Sequence, residues 1–378
     1  MRNKYILNEK LITLFFLFSS LFFLGINKYF IPSLYSLCIF LFLFLFMCFY
    51  CSLKNIALKS KYFFICMFYI LSLFLILLIQ NYLFDLKYGF LNEFARHIPP
   101  ILTFFICRDL IKNYNLQKTV CLCKKFLFFN VFLYCIECIF RISISIIKNG
   151  FFNNFYNYKM DSIFFVDSNF VGLNLVVLLI WIDQIKFLQS DFLCARSVKK
   201  IKFLIIILLF LTFSRTAYII YVLYLIFSLF LAYRKKRFLL FSLSLLLIFS
   251  LPFVIDAVFY IIHDGSFKTK IDILFGFINF MSIESFFVGV GSGNAIDYLQ
   301  RESHNIFGLI FEMGFIWFLL IVSLFVYIIK QGKKYAFLVS FPIIISGIVS
   351  LFPIAYLSFY FICIVLLNHL SNLKRNLS

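Results

Sequence analysis

Residues whose types could support chemistry are concentrated in one segment, 288–315, of a sequence that is otherwise rich in Phe, Leu and Ile. Arg301 and His304 lie three residues apart in this segment, so on a helical turn their side chains share a face. An imidazole is a natural general base near neutral pH, and a guanidinium is suited to bidentate contact with phosphate. The spacing therefore predicts a proton-accepting His304 beside an anion-binding Arg301. A histidine in an interfacial loop without a catalytic role is the alternative interpretation.

Three glycines, Gly289, Gly291 and Gly293, begin the same segment. Glycine allows the backbone to approach another group closely, and free backbone amides can surround an anion. The segment has no G-K-[ST] sequence, so it does not match the phosphate-binding loop of nucleotide-binding proteins. An ordinary surface loop is the alternative interpretation for these glycines.

Further charged residues occur inside apolar runs. Arg215 lies in "LLFLTFSRTAYIIYVLY" and Arg96 in "LNEFARHIPPILTFF". An arginine at the centre of a bilayer costs about 2.5–3.5 kcal/mol, so each favours a snorkelling position, a partner or an anionic ligand at the membrane interface. Glu93, three residues before Arg96, is one candidate partner. Glu137 and Arg141 are four residues apart and predict an intramembrane ion pair with a structural role.

The elements that position these residues are predicted to be transmembrane helices. The chain has 378 residues, of which 64% are hydrophobic and only 13% charged, whereas soluble domains are about 25% charged. Apolar runs of about 20 residues match the thickness of a bilayer. The sequence therefore predicts an all-α integral membrane protein with about 12 spans, near 11–30, 34–53, 62–80, 90–107, 126–147, 163–182, 201–214, 216–233, 238–257, 305–329, 335–350 and 354–370.

One boundary between two predicted spans depends on the length of an apolar run. A single helix over 201–233 would extend about 50 Å, which is too long for one span, so we predict a break at Ser214-Arg215.

The basic residues predict how the chain is oriented. The net charge is +19, but the 35 Lys and Arg residues occur in short clusters between apolar runs, which disfavours nucleic acid as a partner. With the N-terminus in the cytoplasm, 25 of the 35 fall on the cytoplasmic side, as the positive-inside rule requires. Residues 1–378 then form a single polytopic domain with both termini cytoplasmic. The candidate arginines, His304 and two long segments, 148–166 and 258–304, lie on the outer side.

No metal or disulfide site is predicted. The 11 cysteines avoid both long outer segments, so a disulfide framework is not expected. His97 and His263 are further outer histidines, but no H-x-x-H, H-E-x-x-H or D-x-D sequence lies near them. We expect neither a metal nor another cofactor.

The segment "GVGSGNAIDYLQRESHNIFGLIFEMGF" resembles the signature of the O-antigen ligase and O-antigen polymerase superfamily. Its elements are a G-x-G, a variable stretch, an H-N pair and a glycine ten residues after the histidine. They are present here as Gly289, Gly291, His304, Asn305 and Gly314.

Two more segments resemble this family. "FLTFSRTAYII" is similar to its Ser-Arg at the outer end of a helix, here Ser214 and Arg215. "SIFFVDSNFVGLNLVVL" is similar to its Asp-x-Asn before a helix, here Asp167 and Asn169. Trp317 is a departure, because many ligases have a second glycine there, and it favours a polymerase over a ligase.

The resemblance implies a GT-C-like, metal-independent glycosyltransferase of the bacterial inner membrane with a large periplasmic loop. The donor would be a glycan on undecaprenyl diphosphate, and the acceptor another lipid-linked repeat unit or, for a ligase, lipid A-core. Membrane lipid, a chain-length regulator and a flippase are the implied partners, and a polysaccharide flippase is a further alternative for the chain itself. His304 and Arg215 would be catalytic. The implied substrate-binding residues are Arg96, Arg301, Asn305, Gly289, Gly291, Asp167 and Asn169.

Overall fold

The computed structural model describes residues 9–17, 19, 61–84, 86, 90–150, 158–159, 162, 168–189, 192–232, 275–276, 278–280, 282–291, 293–299, 305–349 and 357–375. Within these ranges the regular structure is helical, which confirms the predicted all-α class for the part of the chain that can be seen. After a helical segment at 9–17, the helices are α1 Lys61–Leu83, α2 Phe90–Ile111, α3 Leu116–Asn149, α4 Ser168–Leu188, α5 Ala195–Phe210, α6 Arg215–Ala232, α7 Ile283–Val288, α8 Ala295–Leu299, α9 Ile306–Val349 and α10 Leu357–Arg375.

Five of the described helices are long and apolar enough to cross a membrane, at Phe64–Leu83, Leu116–Lys148, Ser168–Leu188, Ile306–Gln331 and Leu357–Arg375. Large apolar side chains on their surfaces, such as Phe64 and Phe68 on α1, are more than half exposed. Such a surface needs an apolar solvent. These features support a multi-pass membrane protein. The count of 12 spans stays a prediction, since the runs at 34–53 and 238–257 lie outside the described residues.

Helices α4 and α10 form the centre of the described bundle, and most of their side chains are buried. Trp181 of α4 donates its indole N–H to the carbonyl oxygen of Cys363 on α10 at 3.0 Å. Tyr360 of α10 donates to Asn174 Oδ1 of α4 at 2.6 Å. Helix α4 also packs against α5, α6 and α9. Helix α4 therefore connects the helices that carry the motif residues.

The structure agrees with one predicted helix boundary and corrects another. Helix α5 ends at Phe210 and α6 begins at Arg215, which confirms the break at Ser214-Arg215. The predicted spans 305–329 and 335–350, by contrast, belong to one continuous helix, α9. Residues 330–334 are mostly Lys and Gln, which are good helix formers. The helix therefore continues through this polar stretch.

Candidate functional site

Several residues of the predicted site lie outside the described part of the structure. They are Arg301, His304, Asp167 and the side chain of Arg96, together with the second outer histidine, His263. The predicted adjacency of Arg301 and His304 therefore stays a prediction. The remaining motif residues are described, and they fall into two packed groups.

The first group is the turn between α5 and α6. Phe213 has a positive φ of 53°, which is costly for a residue with a Cβ and persists only when the surroundings enforce it. The Ser214 hydroxyl accepts a hydrogen bond from the amide of Ala217 at 3.3 Å and so caps the first turn of α6. Arg215 follows as the first residue of α6, with its side chain exposed. The turn thus presents a guanidinium from a defined backbone.

The start of α4 holds this turn from one side. The Ser214 hydroxyl donates to Asn169 Oδ1 at 2.8 Å, although the two residues are 45 apart in sequence. The Ser168 hydroxyl donates to the carbonyl of Thr212 at 2.5 Å. Gly172 allows this approach, because a Cβ there would lie only 3.1 Å from that of Ser214. Two of the three motifs that the sequence resemblance identified are therefore in direct contact.

A buried ion pair on α3 holds the turn from the other side. Arg141 and Glu137 are both 0% exposed, with Nε and Oε1 2.9 Å apart, which confirms the predicted pair. Arg141 also donates to the carbonyls of Tyr158 and Leu211, each at 2.8 Å. The hydroxyl of Ser162 donates to Glu137 Oε1 at 2.8 Å. The pair thus joins the long segment 148–166 to the residue at the start of the α5–α6 turn.

The second group joins the G-x-G to α9. Gly289, Gly291 and Gly314 all have positive φ, at 86°, 93° and 82°. A Cβ on Gly289 would lie 2.3 Å from the Glu312 carbonyl oxygen, and one on Gly314 would lie 2.4 Å from that of Phe287. No side chain fits at these distances. The glycines at the two ends of the motif therefore pack against each other.

Backbone hydrogen bonds in this group use the glycine amides. The amide of Gly289 donates to the Ser285 carbonyl at 2.8 Å, and that of Gly291 donates to the Glu312 carbonyl at 3.0 Å. Gln80 of α1 donates its side-chain amide to the carbonyls of Val288 and Glu312, at 2.5 and 2.9 Å. The described contacts of Gly289 and Gly291 are accordingly with the protein itself, since both amides already have acceptors.

Asn305 has a local role as well. Its side chain is buried, and Oδ1 accepts from the amide of Gly308 at 2.8 Å. Asn is a preferred helix N-cap for this reason. Helix α9 begins at Ile306, so Gly308 and Glu312 lie within the helix, whereas His304 precedes it in the sequence. His304 comes immediately before this capped end.

One buried polar contact was not predicted. Glu93 Oε2 lies 3.6 Å from His97 Nε2, and both side chains are less than 5% exposed. The His97 ring also contacts Trp317 edge to face, with centroids 5.6 Å apart. The side chain of Arg96, a predicted partner of Glu93, lies outside the described residues, and the i,i+4 spacing to His97 gives an equally local pairing. Trp317, the residue that departs from the ligase pattern, thus packs on a histidine of α2.

Within the ranges listed above, no three His, Cys, Asp or Glu side chains are grouped so that they could hold a metal ion. The described part of the site consists instead of an exposed arginine, hydroxyl and amide side chains, and closely packed glycines.

A family model described as O-antigen ligase matches residues 201–311. The matched region includes the Ser214-Arg215 turn, the G-x-G and the His304-Asn305 pair, while Asn169 and Gly314 lie outside it and contact its residues. No curated protein and no solved structure matches the chain. Over residues 201–311, the chain is therefore similar to O-antigen ligases.

Proposed function

We propose that the protein is an O-antigen polymerase, which joins undecaprenyl-diphosphate-linked repeat units at the periplasmic face of the inner membrane. The observation that carries the proposal is the presentation of Arg215. This exposed arginine begins a helix, and its turn is held by Asn169 on one side and Arg141 on the other. A guanidinium on a backbone that is held in this way is suited to bidentate contact with a diphosphate.

In the proposed reaction, a sugar hydroxyl of the acceptor unit attacks the anomeric carbon of the donor glycan. The new glycosidic C–O bond forms as the bond between the anomeric carbon and the phosphate oxygen breaks, and undecaprenyl diphosphate leaves. His304 accepts the hydroxyl proton as general base. Arg215, with Arg96 and Arg301, offsets the charge that develops on the leaving diphosphate. The reaction as proposed needs no metal ion.

A ligase that transfers the glycan to lipid A-core is the second candidate. The description of the matched family favours it. Trp317 favours the polymerase, because its buried indole occupies space beside His97 where many ligases have a small glycine.

A polysaccharide flippase is less well supported. A transporter is expected to carry polar residues near the middle of the membrane that its cargo can reach. The buried pair Glu137 and Arg141 is instead engaged with backbone carbonyls and Ser162. The contacts of this ion pair are therefore structural ones within the protein.

Deletion of the gene, followed by gel analysis of lipopolysaccharide, separates these functions. A polymerase deletion leaves core carrying one repeat unit, whereas a ligase deletion leaves bare core and accumulates lipid-linked polymer. A flippase deletion accumulates lipid-linked units on the inner leaflet. Complementation with Arg215→Gln and His304→Ala should fail to restore the ladder, and wild type should restore it. A normal ladder in the deletion strain would refute both the polymerase and the ligase.

A further inference from the structure

A polar cavity lies between the ends of three helices, far from the motif residues. Its volume is about 260 Å³, and it is bounded by the end of α2, by α9 near Gln331 and by the last turns of α10. Asn305 and Gln331 lie at the two ends of Ile306–Gln331, one of the helical segments that are long and apolar enough to cross a membrane. The cavity and the candidate site are therefore at opposite ends of the bundle.

The location of the cavity matches the charge pattern of the sequence. The three segments that meet there, near Arg108, Gln331 and Asn372, each carry basic residues that fall on the cytoplasmic side in the predicted orientation. These segments are far apart in sequence, and the predicted orientation did not require them to lie close together. The cavity accordingly faces the level of the phospholipid headgroups in the cytoplasmic leaflet, under the predicted orientation.

The lining combines cations with hydrogen-bond acceptors. Arg108 and Lys112 line it, and the Arg108 guanidinium donates to the Tyr327 hydroxyl and to Gln331 Oε1, each at 3.3 Å. Both distances are longer than the usual range for N–H···O hydrogen bonds, about 2.7–3.2 Å. A phosphate oxygen would be a stronger acceptor for this guanidinium than either neutral group.

The opposite wall offers acceptors to a ligand. Asn368 Oδ1 is buried, and among the described residues it has no hydrogen-bond partner. A buried acceptor without a donor is costly, and a ligand donor would remove this cost. The Asp109 carboxylate also lines the cavity, and Phe104 and Val365 supply apolar contacts. A ligand that fits this cavity has a phosphate group, a hydrogen-bond donor near it and an adjoining apolar part.

We propose that this cavity binds the headgroup of a glycerophospholipid of the cytoplasmic leaflet. The phosphate is held by Arg108 and Lys112, and a hydroxyl or ammonium group beyond it donates to Asn368. Basic pockets between transmembrane helices on the cytoplasmic side are known to suit lipid headgroups. The site is separate from the proposed polymerase reaction and does not depend on it.

Native mass spectrometry of the purified full-length protein tests the proposal, with phosphatidylglycerol as the probe and phosphatidylcholine, which has no headgroup donor, for comparison. We expect one phosphatidylglycerol molecule to bind at least about tenfold more tightly than phosphatidylcholine. Arg108→Gln and Lys112→Gln should each weaken it by about tenfold or more. Lys374→Gln, at a basic residue near the same end of α10 but outside the cavity lining, is the control and should bind as wild type.

Lys112 is exposed, so its substitution leaves folding intact and keeps the test interpretable if Arg108→Gln proves unstable. Equal retention of phosphatidylglycerol by Lys112→Gln and Lys374→Gln would overturn the site. Displacement of the lipid by inorganic phosphate at millimolar concentration would overturn its assignment to a lipid headgroup, because the phosphate alone would then account for binding.

Discussion

The substitution Arg141→Met leaves the Glu137 carboxylate buried without its cation, because both side chains are 0% exposed in the folded protein. Removing one partner of a buried ion pair costs about 3–5 kcal/mol. The carbonyls of Tyr158 and Leu211 lose a donor in the same change, and each unsatisfied buried acceptor adds about 1–3 kcal/mol. We therefore expect Arg141→Met to lower the free energy of unfolding by at least about 3 kcal/mol.

The double variant Glu137→Leu with Arg141→Met separates these two contributions. It removes the uncompensated carboxylate but still leaves the two carbonyls without the guanidinium. We expect its stability to lie between those of wild type and Arg141→Met, since replacing a buried ion pair with apolar residues is often neutral.

The assay is thermal unfolding of the purified proteins in one detergent, at one heating rate. The matched control is Lys202→Met, which breaks the pair that Lys202 Nζ makes with Asp183 Oδ1 at 2.6 Å. Those side chains are 28% and 33% exposed, so their pair contributes about 0–1 kcal/mol. The reasoning is refuted if Arg141→Met unfolds at the same temperature as Lys202→Met, or if the double variant is less stable than Arg141→Met.

Three further predictions follow. Gly314→Ala should lower the unfolding temperature more than Gly150→Ala. Both glycines have positive φ, but only Gly314 has backbone atoms within 3 Å of the added Cβ. Equal effects of the two substitutions would contradict this packing. Arg215→Gln should abolish the polysaccharide ladder without changing the unfolding temperature, since Arg215 is exposed; a large loss of stability would argue for a structural role instead. Hydrogen bonds from Ser197 lower the pKa of the exposed Cys194 thiol. In a variant with no other cysteine, an impermeant maleimide should therefore label Cys194 rapidly at neutral pH, and only from the cytoplasmic face. Labelling of intact cells would show that the orientation is the reverse of the predicted one.

The helical class and the local pairings could be predicted because they depend on residues that are close in sequence. Composition alone excluded a soluble fold, since so much apolar side-chain surface cannot be buried in a chain of 378 residues. The break at Ser214-Arg215 followed from the length of the apolar run, and the Glu137–Arg141 pair from its four-residue spacing. Local spacing was less decisive where two partners were possible. Glu93 contacts His97 on its own helix, and its pairing with Arg96, whose side chain lies outside the described residues, stays a prediction.

The sequence by itself predicted a helical membrane protein and identified three segments that resemble family motifs. Only the tertiary structure decided how these motifs are held. The hydrogen bond from Ser214 to Asn169 and the close approach of Gly289 to Gly314 join residues distant in sequence. The i,i+4 spacing predicted the partner of Arg141 on its own helix, but not the Leu211 carbonyl that it also binds. Helical periodicity gives the face on which a side chain lies, whereas its neighbour across a helix interface depends on how all the helices pack together.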